Sequence, residues 1–354
     1  MIEHGNTHVA IIGGGQTGLT LGYFLKRRGI DFMIFDDADG AGGAWRRTWP
    51  SLRLFSPAAY SSIAGWPMPP SQGSDNPSRE AVIDYLRQYE ARYQLPVCRP
   101  CPVQSLQHVG GRYQVHTDRG AWTARAVIMA TGTWGHPFVP AYPGRDRFTG
   151  TQIHSAHYAG PETYRGQRVV VVGGGNSGAQ ILAELSAVAT TTWVTPEPPR
   201  FLPDEVDGRA LFERATARWR AQQAGEPVPP AQSLGDIVMV PLVKAARDRG
   251  VLVARRPFIA ITEEGVAWPD GTAAHVDAIV WCTGFRPATQ LLETMGVVLT
   301  DGRVRADNGR AIDLPGLWLA GYGDWTGPAS ATLMGITRYA RATVDEVAGY
   351  LAAS

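Results

Sequence analysis

The chain has 354 residues, 44% of them hydrophobic and 18% charged, a composition typical of a folded protein with room for two domains. Its 33 Lys and Arg residues balance 32 Asp and Glu residues, so the charge gives no reason to expect nucleic acid or an anionic membrane as a partner. The three cysteines exclude a disulfide framework, and we find neither a signal peptide nor a bilayer-spanning run, so we expect a cytoplasmic protein that acts on a small molecule.

A strand, a glycine-rich turn and a helix open the chain. Val9–Ile12 predicts a buried strand, and Gly13, Gly15 and Gly18 follow it in the spacing G-x-G-x-x-G. In this motif the first glycine permits a tight turn, the second lets backbone approach a pyrophosphate, and the third allows close helix packing. Asp36 ends the next apolar stretch, where a carboxylate accepts hydrogen bonds from a ribose. The sequence therefore predicts a dinucleotide site.

More glycines follow this first motif. Gly42–Trp45 predicts a second bare stretch of backbone beside the cofactor, with Trp45 either covering apolar ligand surface or belonging to the core. Cys98 and Cys101 have the spacing of a redox pair, but they lie between prolines and away from the second glycine loop, which favours a structural role. A strand over 126–130 then enters Thr131–Gly132.

The same arrangement recurs 160 residues later. Val169–Val172 predicts a strand, and the glycine spacing repeats at Gly173, Gly175 and Gly178. The following strand ends at Thr195 with no acid, and Arg200 lies nearby. A missing carboxylate beside an arginine favours a ribose 2′-phosphate, hence NADPH over NADH, although Arg200 as a plain surface residue stays an alternative.

The rest of the chain completes the second unit and returns to the first. A proline-rich insertion at about 196–235 contains a predicted amphipathic helix that either covers a substrate entrance or packs as an ordinary insertion; its apolar face would comprise Leu211, Phe212, Ala215 and Trp219. A strand over 278–282 enters Thr283–Gly284, as 126–130 enters Thr131–Gly132. After the last strand, Asp324 either binds ribityl hydroxyls or caps a turn before the final helix, whose N-terminus would stabilise negative charge on a flavin.

These elements predict an α/β protein with two Rossmann-like dinucleotide-binding domains, in the manner of glutathione reductase, with the NADPH domain inserted in the FAD domain. Residues 1–158 and 286–354 are predicted to bind FAD, and residues 159–285 to bind NADPH. No metal-ligand cluster, nucleophile elbow or P-loop is found, so the chemistry is expected on the cofactors.

Four residues before the second glycine loop carry a family resemblance. Phe148, Gly150, His154 and Tyr158 fill the signature F-x-G-x-x-x-H-x-x-x-Y, which resembles the linker of FAD- and NADPH-dependent single-component monooxygenases. A closer resemblance is to the short flavin monooxygenases of bacterial arsenic-resistance operons. It extends over nearly the whole chain and includes the stretches 51–57, 200–204 and 321–332. Two departures are Ala159, where a basic residue often follows the signature, and the lack of an asparagine in 49–62.

The resemblance implies a monooxygenase in which NADPH reduces FAD, dioxygen adds to the flavin, and the flavin peroxide oxygenates a small soft nucleophile such as an arsenic(III) species. An NADPH-dependent disulfide reductase of the thioredoxin-reductase type and a flavin-based redox sensor are the alternatives. The oligomeric state stays open, and no catalytic side chain is assigned.

Residue types and resemblance together give the predicted cofactor sites. The predicted FAD residues are Gly13, Gly15, Gln16, Thr17, Gly18, Asp36, Gly43, Ala44, Trp45, Val103, Thr131, Gly132, Asp324 and Thr332. The predicted NADPH residues are Gly173, Gly175, Asn176, Ser177, Gly178, Thr195, Arg200, Thr283 and Gly284. The resemblance adds a flavin pocket with Arg53, Phe55, Tyr322 and Trp325.

Overall fold

The computed structural model describes residues 3–71, 76–206 and 236–353, together with residues 208, 209, 213, 216, 217, 220, 221 and 224–226. The predicted apolar face of the insertion helix lies outside the described residues. The chain divides into two compact units: Met1–Arg46, Ser56–His136 and Arg286–Ser354 form the first, and Arg47–Phe55 with Pro137–Phe285 form the second.

The α-helices within the described ranges are α1 (Gln16–Arg27), α2 (Arg79–Arg92), α3 (Asn176–Leu185), α4 (Pro241–Asp248) and α5 (Leu333–Ala353). The strands are β1 (Glu3–Ile12), β2 (Phe32–Phe35), β3 (Val97–Cys98), β4 (Val103–Val109), β5 (Arg112–Thr117), β6 (Gly120–Met129), β7 (Thr151–His154), β8 (Arg168–Val172), β9 (Thr190–Val194), β10 (Ala254–Arg255), β11 (Ala260–Ile261), β12 (Gly265–Ala267), β13 (Ala273–His275), β14 (Ala278–Trp281), β15 (Ala306–Asp307), β16 (Arg310–Ala311) and β17 (Leu317–Leu319).

The first unit is built on a nine-stranded sheet with the order β15-β16-β17-β6-β1-β2-β3, and the β4–β5 hairpin pairs with β6. Strand β1 runs parallel to β2 and β6, and its residues Val9, Ala10 and Ile11 are fully buried. The part of a strand that is covered on both faces must be apolar, which explains the continuous hydrophobic run Val9–Ile12 in the second half of β1. Helices α1 and α5 contact each other in this unit, so the last helix completes a domain that the first strand begins.

The second unit is built on a parallel sheet with the order β10-β9-β8-β14-β7, and the small sheet β11-β12-β13 belongs to it. The predicted α/β architecture with two Rossmann-like units is therefore confirmed. The division differs from the predicted boundary after residue 158, because β7 pairs with β14 and takes residues 137–158 into the second unit. Among the described residues, no helix is both long and apolar enough to cross a membrane.

Candidate functional site

The glycine loop of the first unit is closed by backbone contacts. Gly13 has φ +112°, and a Cβ there would collide with the carbonyl oxygen of Ala130; a Cβ on Gly18 would collide with the carbonyl oxygen of Gly13. Gly15 differs, because the nearest atom to its Cβ position is the Cα of Gly43, 3.7 Å away. Gly13 and Gly18 are thus required by the turn, whereas Gly15 leaves bare backbone where a pyrophosphate would approach.

Three segments of the first unit meet at the start of α1. The side chain of Gln16 joins them, since its Oε1 accepts a hydrogen bond from Trp45 Nε1 at 2.9 Å and its Nε2 donates to the Ala331 oxygen at 2.7 Å. Gly43 has φ +55°, and its Cβ position lies 2.6 Å from the Cα of Gly15. The structure thereby brings together the glycine loop, the Gly42–Trp45 stretch and the last loop.

The last loop packs directly on α1. A Cβ on Gly321 would collide with the hydroxyl of Thr17. Tyr322 is buried, and its hydroxyl donates to Thr131 Oγ1 at 2.6 Å, because the Thr131 proton goes to the Ala288 oxygen. Burial raises the pKa of Tyr322 to about 12, so the phenol stays protonated at neutral pH. The Thr131 strand end and the last loop are thereby fixed to each other.

The other predicted FAD residues of the first unit occupy defined positions. Thr332 is the N-cap of α5, since its Oγ1 accepts a hydrogen bond from Gly335 N at 3.1 Å. Asp324 is exposed, in the turn that precedes this helix. Trp325 has its ring centroid 5.3 Å from that of Tyr322. Three more predicted FAD residues are Gly132 with φ +66°, the half-buried Val103 on β4, and the exposed Ala44.

The buried Asp36 carboxylate is paired with an arginine that the sequence does not single out. Arg99 donates through Nε to Asp36 Oδ2 at 2.6 Å and through Nη1 to both oxygens of Glu90 at 2.9 Å. Burial lowers the pKa of Arg99, but the attraction of the two carboxylates outweighs it and the pKa is raised overall. The Cβ position of Gly14 lies 2.7 Å from Asp36 Oδ2, so the glycine loop runs past this carboxylate. A buried carboxylate is stable only when a cation pairs with it, so the position of Asp36 at the end of an apolar stretch could have indicated that an arginine such as Arg99 lies beside it.

The surroundings of the cysteines favour a structural role for them over a redox role. Asp36 donates its N–H to the Cys98 oxygen at 3.0 Å and accepts one at its own oxygen from Cys101 N at 2.7 Å. Cys101 is buried, and burial raises the pKa of its thiol to about 12. Burial likewise raises the pKa of Cys282 to about 12. Thiol–disulfide exchange requires a thiolate, which these two thiols do not form near neutral pH.

The second glycine loop repeats the geometry of the first. A Cβ on Gly173, where φ is +132°, would collide with the carbonyl oxygen of Cys282, and one on Gly178 with the carbonyl oxygen of Gly173. The Cβ position of Gly175 has no atom of the described residues within 4 Å. Gly174 lies against Thr195, with 3.3 Å between its Cβ position and Thr195 Cγ2, just as Gly14 lies against Asp36. The buried Thr195 therefore occupies the place that Asp36 has in the first unit.

Asn176 and Arg200 are tied to one short segment of the second unit. Asn176 Nδ2 donates to the Asp236 oxygen at 3.1 Å, and its Oδ1 accepts a hydrogen bond from Val238 N at 2.9 Å. Arg200 pairs with the Asp236 carboxylate at 3.0 Å, although 74% of the arginine side chain is exposed. Ser177 is half-buried at the start of α3, and the hydroxyl of Thr283 donates to the Phe138 oxygen.

The linker signature is a set of packing contacts within the second unit. His154 is buried, and its Nδ1 accepts a hydrogen bond from Ala156 N at 3.1 Å, so the proton sits on Nε2, which donates to the Gly284 oxygen at 2.9 Å. Burial lowers the pKa of His154, which keeps the ring neutral. A Cβ on Gly150 would lie 2.5 Å from both the Asp277 oxygen and the ring of Phe148. The signature thus fixes the Thr283–Gly284 turn.

Tyr158, the last signature residue, anchors the segment Arg47–Phe55. Its hydroxyl donates to Glu184 Oε2 at 3.1 Å, Ser51 donates to Glu184 Oε1, and its ring meets that of Trp49 edge to face at 6.2 Å between centroids. Burial raises the pKa of Tyr158. These contacts explain why a short stretch of the first half of the chain belongs to the second unit.

The four predicted flavin-pocket residues divide between the units. Phe55 packs with Leu202 and Val238 in the second unit, where Arg53 is exposed. Tyr322 and Trp325 belong to the first unit.

Known proteins with this sequence pattern identify the family. A family model described as pyridine nucleotide-disulphide oxidoreductase matches residues 10–205, and a second one so described matches 230–335. A flavin-containing monooxygenase from Stenotrophomonas maltophilia is 51% identical over 98% of this chain and 99% of that chain, with a TM-score of 0.90. The chain belongs to this flavin monooxygenase family. Its predicted cofactors, FAD and NADPH, are thereby confirmed, and its substrates are a small molecule and dioxygen.

Two further comparisons show how widely the family and its fold extend. An uncharacterized CzcO-like oxidoreductase from Geobacillus kaustophilus is 30% identical over 78% of this chain and 80% of its own length. A bacillithiol disulfide reductase from Staphylococcus aureus covers 96% of this chain and 99% of its own with a TM-score of 0.71, but at 19% identity it shares the fold alone. The fold therefore serves both oxygenases and reductases, and the residues must distinguish them.

Proposed function

We propose that this enzyme uses NADPH to reduce FAD and then transfers one oxygen atom of dioxygen to a small soft nucleophile, such as an arsenic(III) species. The carrying observation is the pair of matching glycine loops, each with its own residue at the end of the following strand: Asp36 in one and Thr195 in the other. FAD, when bound, would supply the redox chemistry, because it can accept a hydride from NADPH and react with dioxygen. The monooxygenase relative at 51% identity supports oxygen transfer as the outcome.

We assign the first unit to FAD. The bare backbone at Gly15 and Gly43 would lie along the pyrophosphate, and the N-terminus of α1 would stabilise its charge. Asp36, oriented by Arg99, would accept the ribose hydroxyls with its second oxygen. Thr332 caps the start of α5, whose N-terminus would stabilise negative charge on the flavin.

We assign the second unit to NADPH. Gly175 leaves an open stretch of backbone at the N-terminus of α3, which fits a pyrophosphate. Thr195 cannot repel a phosphate as a carboxylate would, so the site tolerates a 2′-phosphate. His154 holds Gly284 in place, and Asn176 holds the segment that contains Asp236.

The cysteines argue against the reductase alternative. A flavin-linked disulfide reductase needs a reactive pair, whereas Cys98 and Cys101 exchange backbone hydrogen bonds with the proposed ribose residue Asp36, and the Cys101 thiol has a raised pKa. The positions of Cys98 and Cys101 therefore favour a structural role beside the end of β2 over electron transfer to a flavin.

Stopped-flow absorbance tests the two half-reactions separately. NADPH added without oxygen should bleach the flavin, and air with arsenite or methyl phenyl sulfide should then give one equivalent of arsenate or sulfoxide per NADPH. Absence of bleaching would overturn the reductive half. Stoichiometric hydrogen peroxide with both probes would overturn oxygen transfer, and sulfoxide without arsenate would exclude arsenite as the substrate.

A further inference from the structure

The end of β9 in the second unit lies beside the end of β10. Thr195, which follows β9, donates its N–H to the Arg255 oxygen at 3.0 Å. Arg256 comes next, and its Nη1 donates to the carbonyl oxygen of Pro196, the residue after Thr195. The first bond fixes the end of β10 beside Thr195, and the second directs the Arg256 guanidinium to the backbone of Pro196, the neighbour of Thr195, although Arg256 is far from both in the sequence.

The charge of Arg256 is lightly engaged. Among the described residues it forms an ion pair with Glu197 at 3.7 Å, and because both side chains are largely exposed, this pair contributes little to stability. The neighbouring Arg255 is committed elsewhere, because its guanidinium carbon lies 3.9 Å over the ring of Trp268. A guanidinium has five N–H donors in a fork that suits phosphate oxygens, and Arg256 uses one of them on Pro196.

Arg200 lies in a different environment. It pairs with the Asp236 carboxylate, whose side chain is only 13% exposed. The backbone oxygen of Asp236 accepts a hydrogen bond from the side chain of Asn176, the first residue of α3. Through Asp236, Arg200 is connected to Asn176 at the start of α3, beside the glycine loop where the pyrophosphate would bind, and not to Thr195. Its charge offsets a largely buried carboxylate.

We propose that Arg256 binds the 2′-phosphate of NADPH and sets the preference for NADPH over NADH, and that Arg200 does not read this phosphate. The inference rests on the proposed NADPH site. In a Rossmann unit the adenosine ribose lies at the end of the second strand, which is β9 here, and Thr195 stands where the other unit has its ribose carboxylate. Arg256 is the arginine that the backbone holds at that position.

Titration calorimetry on the FAD-loaded, full-length protein tests this assignment. NADP⁺ is compared with NAD⁺, and adenosine 2′,5′-bisphosphate with adenosine 5′-monophosphate, which isolates the phosphate. Arg256→Ala should weaken NADP⁺ and the bisphosphate by about tenfold or more and leave NAD⁺ within about twofold, as for loss of a charge-assisted hydrogen bond. Arg256→Lys should restore part of the preference.

Two matched variants complete the experiment. Arg200→Ala should change NADP⁺ and NAD⁺ by the same factor. Arg249→Ala removes another exposed arginine of this unit, bonded to Ser186 just after the opposite end of α3, and should change neither. An unchanged NADP⁺ to NAD⁺ ratio in Arg256→Ala, a ratio lost in Arg200→Ala, or a wild type without preference would each overturn the inference. Preference lost in Arg256→Ala with no flavin reduction would uphold it and overturn the proposed function.

Discussion

His154→Asn and His154→Gln separate the two hydrogen bonds of the buried signature histidine. An Asn side chain places an acceptor near the position of Nδ1, whereas a Gln side chain places a donor near that of Nε2. Asn should therefore keep the bond from Ala156 N, and Gln should keep the bond to the Gly284 oxygen. Neither variant adds volume to the core.

The two losses differ in size because the two partners differ. The Gly284 oxygen also accepts a hydrogen bond from Phe138 N at 2.9 Å, so His154→Asn leaves it bonded and should cost about 0.5–1.5 kcal/mol. Ala156 N–H has the ring of His154 as its acceptor, so His154→Gln leaves a buried donor unpaired, at about 1–3 kcal/mol. We expect the Gln variant to be the less stable one.

Hydrogen–deuterium exchange of the peptide containing Ala156 measures this difference locally, at the amide whose hydrogen-bond acceptor is removed. Exchange at that amide should accelerate by about 5- to 150-fold in His154→Gln and stay near the wild-type rate in His154→Asn. Equal acceleration in both variants, or a larger effect in Asn, would refute the assignment of Nδ1 as acceptor.

The same histidine makes the second unit sensitive to acid. Its pKa is lowered in the folded state, so between the unfolded value of about 6.5 and the folded value only the unfolded chain takes up the proton. Stability is therefore complete above about pH 6.5 and falls as the pH decreases below it. Both variants should lose this part of the pH dependence, measurable by exchange at a series of pH values.

Three further experiments test other contacts. Gly175→Ala should fold normally but weaken NADP⁺ binding by about 5- to 150-fold, because its Cβ would lie more than 4 Å from the described residues and would meet the ligand. Gly178→Ala should instead destabilise the protein by about 1–3 kcal/mol or more, because its Cβ would collide with the carbonyl oxygen of Gly173. Calorimetry measures the first effect and urea unfolding the second. Asp36→Ala strands the buried Arg99 beside one remaining acid and should cost up to about 3–5 kcal/mol in urea, a loss that Arg99→Met in the same chain should partly reverse; no reversal would contradict the ion-pair account. Thr332→Ala removes an N-cap and should cost about 1 kcal/mol, and an unchanged midpoint would remove the cap from the account.

Local patterns predict the glycine loops well. A buried parallel strand must be apolar, and the turn after it must be glycine where a Cβ would meet backbone, so Gly13 and Gly173 are recognisable from neighbouring residues. The fold class follows from the two repeats.

Contacts between distant segments are not visible in such patterns. Arg99 and Asp36 are 63 residues apart, and Ser51 and Glu184 are 133 apart. The boundary after residue 158 misses the pairing of β7 with β14 for the same reason. Arg200 is prominent because it is near Thr195 in sequence, whereas Arg256 is near in space through β10.

The segment Arg47–Phe55 has a consequence for the order of folding during synthesis. The second unit has all its segments once Phe285 has been made, because Trp49 and Ser51 are already present. The first unit begins with β1 yet waits for β17 and α5 at the other end of the chain. The segments of the second unit are therefore complete before those of the first, so we expect the second unit to be able to fold earlier during synthesis.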